Sequence, residues 1–143
     1  MKVSSLLSGK QVKTIKPDAT IQELTQALTA LRIGALVVSR DGKIIDGIVS
    51  ERDIVQALPI HFHKLEKLHV RDIMTVSVTT CTQDFSVAEL MAIMTERRIR
   101  HIPVVDEFGM LVSIVSIGDV VKSYVAEMDT ERTALIDYVK SAN

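Results

Sequence analysis

Apolar and polar positions alternate in blocks that change period along the chain, and the blocks come twice. Ile21, Leu24, Leu28 and Leu31 fall at helical spacing, as do Val87, Leu90, Met91 and Met94. Each set follows a short extended stretch (Val12–Ile15; Val78–Cys81) and a turn-forming segment carrying Asp18 or Asp84. Thr20 with Glu23, and Ser86 with Glu89, fit a capping box, in which hydroxyl and carboxylate satisfy free backbone N–H groups reciprocally. After each helix comes a strand rich in β-branched residues, Ala35–Ser39 or Ile102–Val105. Turns follow at Arg40-Asp41-Gly42-Lys43 and Asp106-Glu107-Phe108-Gly109, the first an Asp-Gly pair that suits positive φ. A second strand, Ile44–Val49 or Met110–Val115, runs into Ser50 or Ser116, where another helix begins. The predicted order is β-α-β-β-α, twice, an α/β (α+β) class.

The duplication extends to residue identity. Shifting the chain by 66 residues aligns Val12–Leu58 with Val78–Tyr124 without a gap, and 14 of the 47 pairs are identical. Chance would give about three at ordinary residue frequencies. Val3–Ser8 also resembles Val70–Thr75 after a one-residue slip. The expected organisation is a first copy over 1–58, a connector over 59–69, a second copy over 70–125 and a C-terminal helical extension over 126–143. Pro59 is expected to stop the helix before the connector. The connector histidines His61, His63 and His69 lack further ligands at metal-site spacing, so no metal is expected. From Ser116 the helical pattern continues for about 25 residues, roughly 38 Å. Val121, Val125, Met128, Leu135 and Val139 form its apolar stripe, broken by Arg132. That is too long for this domain to cover, and an intermolecular helix contact is expected.

Composition narrows the function. With 143 residues the chain is long enough for one sizeable core. Seventeen Lys and Arg against eighteen Asp and Glu leave a net charge of −1, without the basic excess typical of nucleic-acid binding. No apolar run approaches the ~18 residues that span a bilayer, and the N-terminus makes a poor signal peptide. Cys81 is the single cysteine, so no internal disulfide forms. A cytoplasmic protein without membrane or nucleic-acid partners is expected. There is no paired acid and base with a nucleophile, no Gly-rich loop with Lys and no ligand cluster, so no enzyme is expected.

Two Ser-x-x-Asp segments differ from the other helix starts. Ser50-Glu51-Arg52-Asp53 and Ser116-Ile117-Gly118-Asp119 follow directly on an apolar strand, at the crevice where open α/β sheets bind ligands. Helix N–H groups there favour phosphate, and a short carboxylate one turn in can accept both hydroxyls of a ribose. The same residues also make ordinary capping boxes.

The duplicated unit, with Gly47-Ile48-Val49-Ser50-Glu51-Arg52-Asp53-Ile54-Val55 in one copy, and Arg100-His101-Ile102-Pro103-Val104-Val105-Asp106 and Ile114-Val115-Ser116-Ile117-Gly118-Asp119-Val120-Val121 in the other, resembles a tandem pair of cystathionine-β-synthase (CBS) domains, a Bateman module, of the stand-alone bacterial type. The resemblance covers about Val3 to Tyr124. It implies a pseudo-twofold pair with two clefts for adenosine ligands: AMP, ADP, ATP, NAD(H) or S-adenosylmethionine. It implies a regulatory module that senses energy or redox state, forms homodimers and modulates an unidentified effector protein; a ligand-free interaction scaffold is the alternative. Carried over by position, Asp53 and Asp119 would hold the ribose, with Ser50 and Ser116 beside them. Thr14 or Thr80 would lie near the base, and Gly34-Ala35-Leu36 or His101-Ile102-Pro103 would face the adenine. Arg52, Arg98, Arg100 and His101 would meet phosphate. The copies depart from each other at Leu36-Val37 against Ile102-Pro103, and at Glu51-Arg52 against Ile117-Gly118. Gly118 allows close approach without charge, and Glu51 would repel phosphate unless it points away. The two sites are therefore expected to differ.

Overall fold

A computed structural model describes residues 1–9 and 11–142. Two similar halves each build a small sheet covered by helices. In the first half β1 (Thr14–Ile15) runs parallel to β2 (Ala35–Val38), which pairs antiparallel with β3 (Gly47–Ser50). Helix α1 (Ile21–Leu31) precedes β2, and α2 (Glu51–His61) follows β3. A short helix α3 (Val70–Ile73) leads into the second half. There α4 (Val87–Arg97), β4 (His101–Val105), β5 (Leu111–Ser116) and α5 (Ile117–Ser141) repeat the order, with β4 and β5 antiparallel. The first strand of that copy shrinks to a bridge between Cys81 and Val104. Cys81 still donates its N–H to Pro103 and accepts from Val105.

The sequence pattern explains most of these elements. Leu24 and Leu28 of α1, and Leu90 and Met94 of α4, point into two separate apolar cores. Strands β2 and β4 are buried through their centres, Leu36, Val37, Ile102, Pro103 and Val104 among them. The expected long helix is present as α5, 25 residues from Ile117.

Two expectations change. The α2 helix does not stop at Pro59: it runs through it to His61 and continues as a 3-10 turn over Phe62–Lys67. A proline removes one helical hydrogen bond, and so near the helix end that loss does not terminate it. The boxes at Thr20/Glu23 and Ser86/Glu89 are half made. The hydroxyls accept from the Glu23 and Glu89 N–H groups, but the glutamates do not reach back. Thr20 and Ser86 also form bridges with His69 and Lys2, whose hydrogen bonds fall on the neighbouring residues, Val70 N–H to Ala19 O and Val87 N–H to Met1 O among them.

Those bridges mark an exchange. The leader that opens the first copy, Val3–Leu6, packs with the second half: Val3 sits in that core, and its N–H donates to Phe85 O at 2.8 Å. The matching leader that opens the second copy packs with the first half, with Val70 in that core and its N–H on Ala19 O at 2.9 Å. Each half is thus completed by the other copy's leader, which joins the halves into one body and places them face to face.

Candidate functional site

The exit of β3 and the start of α2 form one wall of a cleft of about 310 Å³. Ser50 caps α2 with a complete reciprocal box: its hydroxyl accepts from Asp53 N–H, and Asp53 Oδ2 accepts from Ser50 N–H at 2.7 Å and from its hydroxyl at 3.1 Å. This leaves Asp53 Oδ1 without a hydrogen bond from the described residues, in a half-buried side chain that lines the cleft. The capping role and the diol-accepting role are therefore compatible, because they use different oxygens.

The second wall comes from the other half. Arg97 to His101 line it from the α4–β4 turn, and the segment after α3 closes the space between the halves with Thr75, which pairs with Ile48 of β3, Ser77, Val78 and Thr79. Four arginines (Arg52, Arg97, Arg98, Arg100) therefore line a cleft whose lining holds one carboxylate, Asp53. Arg52 Nη1 donates across the halves to Arg98 O at 3.4 Å. Arg97 Nη1 donates to Thr79 Oγ1 at 2.8 Å. Glu51 is turned from the cleft lining towards Arg100, its Oε1 at 3.5 Å from Nη2, which answers the repulsion expected of it. A phosphate is favoured here by positive charge.

Backbone geometry holds Arg98 in place. It ends α4 in the left-handed region at φ 54, and Arg32 ends α1 at φ 53. Glycine is the usual residue at such a helix end, since a Cβ there costs roughly 1–2 kcal/mol. Both copies carry arginine instead. His101 is half-buried, and burial holds its imidazole below the ordinary value of 6.5, helped by Arg100 and opposed by Glu51 and Asp119. A Cβ at Gly34 would stand 3.4 Å from both Glu51 Oε1 and His101 Cε1, so a small residue suits this crossing point of the halves.

Of the residues expected from sequence, Ala35, Ser50, Arg52, Asp53, Arg98, Arg100 and His101 come together in this cleft. Leu36, Ile102 and Pro103 lie in the interior. Thr14 is paired in β1 with Val37. Thr80 borders a separate depression of about 270 Å³ with Ile44 and Val76. Ser116 and Asp119 repeat the reciprocal box, with Asp119 Oδ2 accepting from the Ser116 hydroxyl at 2.9 Å, but Asp119 and Gly118 are exposed whereas Asp53 is half-buried. Sequence reasoning missed Arg97, Gln56 and the 75–79 segment. Arg97 aligns with an apolar Leu31 in the other copy, and that departure was the available signal.

No helix of the described residues is long and apolar enough to cross a membrane, and they contain no group of three or more His, Cys, Asp or Glu side chains placed to hold a metal ion.

Comparison with known proteins identifies the family and the fold. The CBS domain profile matches residues 3–60 and 70–126. A mitochondrial CBS domain-containing protein of Arabidopsis thaliana is 36% identical over 127 residues, an alignment covering 86% of this chain and 61% of that protein. The chain thus spans about three-fifths of that relative. The crystal structure of a CBS-domain protein from Agrobacterium tumefaciens superposes with a TM-score of 0.81 at 39% identity, covering 87% of this chain and 99% of that one. A CBS domain protein from Pyrobaculum aerophilum, solved as a complex with AMP, gives 0.72 at 30% identity, covering 83% and 89%.

Proposed function

The chain belongs to the CBS domain family as a tandem pair, and from that premise we propose that its Asp53 cleft binds a phosphate-bearing adenosine ligand and reports it to a partner protein. The observation that carries this reading is the composite cleft: an aspartate with one unengaged oxygen in one half, facing guanidiniums supplied by both halves. A ribose diol on Asp53 and a phosphate among Arg52, Arg97 and Arg98 would tie the halves together. The AMP complex of the Pyrobaculum aerophilum relative supports an adenylate. Excess positive charge favours AMP, ADP, ATP or NAD(H) over the cationic S-adenosylmethionine. The Asp119 site, exposed and without the arginine that Arg52 supplies, is the weaker of the two.

On this reading the protein is regulatory rather than catalytic and acts in the cytoplasm. It works as a homodimer, since Val55, Val121 and Val125 leave apolar side chains about half exposed or more on α2 and α5. Ligand binding favours one shape of the dimer, and an effector protein senses that shape.

Isothermal calorimetry against AMP, ATP, NADH and S-adenosylmethionine tests the ligand. Binding of an adenylate that is weakened at least tenfold by Asp53→Ala supports the reading. Silence from all four, with melting unmoved at millimolar adenylate, would leave an interaction scaffold as the function.

A further inference from the structure

The C-terminal half of α5 lies past residue 126, where the family match ends. Its anchored face is at the start of the helix. Val120 and Ser123 are buried, Ser123 Oγ donates to Met1 Sδ, and the Met1 amino group stands 4.0 Å from Glu127. Val121, Val125, Met128, Leu135 and Val139 lie on a different stripe and stay 49–65% exposed. Counted in sevens, Val121, Met128 and Leu135 are d positions, and Val125, Arg132 and Val139 are a positions. The seam is three heptads long, apolar in every layer up to Val139 except Arg132.

We infer that this seam pairs with the same seam of a second copy in parallel, and that Arg132 sets the register by reaching Glu131 of the second copy. The inference rests on the homodimer proposed above and specifies how its tails meet. In a parallel pair an a-position side chain packs beside the residue that precedes its own counterpart, the g position. For Arg132 that residue is Glu131. Two arginines facing each other across the seam would repel, but each has an opposing carboxylate beside it. Slipping the helices by a heptad would put both guanidiniums into apolar layers. The antiparallel register that keeps Val121–Val139 fully overlapped is centred on residue 130. It would set Asp129 against Asp129 and Glu131 against Glu131. The flanking positions in the parallel pair carry no like charges: Tyr124 meets Asp129, and Glu131 meets Ile136.

Single cysteines in the full chain distinguish the arrangements. The native Cys81 is buried with its thiol pushed up to about 11, so an introduced thiol is the one that oxidises. Val125→Cys and Leu135→Cys should each give a covalent dimer alone under mild oxidation, because parallel pairing brings like positions within disulfide reach. Antiparallel pairing would part each like pair by about 15 Å along the axis and link only the double variant, which overturns the inference. A dimer by light scattering that no variant links overturns the tail pairing while leaving the homodimer intact. A monomer at micromolar concentration overturns both. The charge device has its own readout: Glu131→Lys and Arg132→Glu should each weaken dimerisation roughly tenfold, and the double exchange should restore it. Losses that simply add would remove Arg132 from its assigned role.

Discussion

A single side chain in the cleft can serve two roles through different atoms. Asp53 caps α2 through Oδ2 and leaves Oδ1 without a hydrogen bond from the described residues, the oxygen that the proposed reading gives to the ligand. Asp53→Ala should therefore lose about 1 kcal/mol of stability, a typical cap value, and far more of its affinity for adenylate. Thr20→Ala removes a cap of similar strength from α1, away from the cleft. It should show the stability loss alone in paired denaturation and calorimetry experiments. His101 gives a pH signature. Burial holds its folded pKa below 6.5, so the unfolded chain takes up the proton first. This group's contribution to stability is complete above pH 6.5 and declines as pH falls below that value towards the depressed one. Urea midpoints measured across pH 5–7 should drop on acidification, and His101→Asn should flatten that part of the curve.

Helix ends show where local rules hold and where they yield. The four hydroxyl caps all accept from the third helical N–H, as the sequence spacing implies. Of these four, only the boxes with aspartate at the third position return the bond to the cap N–H. At the other ends Arg32 and Arg98 occupy left-handed backbone that glycine would fill at lower cost. Arg98→Gly should raise stability by roughly 1 kcal/mol and weaken adenylate binding, since it removes a guanidinium from the cleft. Arg32→Gly should give a similar stability gain and leave binding at the Asp53 cleft unchanged. Equal effects on binding from the two would argue against a ligand role for Arg98. In α5, Arg132→Leu should tighten dimerisation while relaxing the choice of register, because a charged layer trades stability for specificity.

At the scale of the whole molecule the leader exchange decides the mechanics. Val3 completes the second core and Val70 the first, so neither copy is complete as a contiguous segment. Unfolding should be one cooperative transition, with calorimetric and van't Hoff enthalpies equal. Val70→Ala or Val3→Ala should lower stability by roughly 2 kcal/mol without splitting that transition. Two separate transitions would show the halves to be independent. Saturating adenylate at 100-fold over its dissociation constant should add about 2.7 kcal/mol, because only the folded chain assembles a cleft with walls from both halves.

Local chemistry was enough to reveal the duplicated β-α-β-β-α order, the long last helix and the Ser-x-x-Asp starts, since periodicity, capping and turn preferences act within a few residues. Of the cleft's second wall, Arg98, Arg100 and His101 were legible through the family resemblance, but Arg97 and the 75–79 segment were not. Thr79 and Arg97 line the same cleft as Asp53 because the leaders cross over and join one half to the other. The helix-stopping effect expected of Pro59 did not appear either, since α2 ends two residues later at His61. A repeat can be read along a chain, but which copy completes which core depends on contacts between segments dozens of residues apart, and those exist only once the two halves have closed on each other.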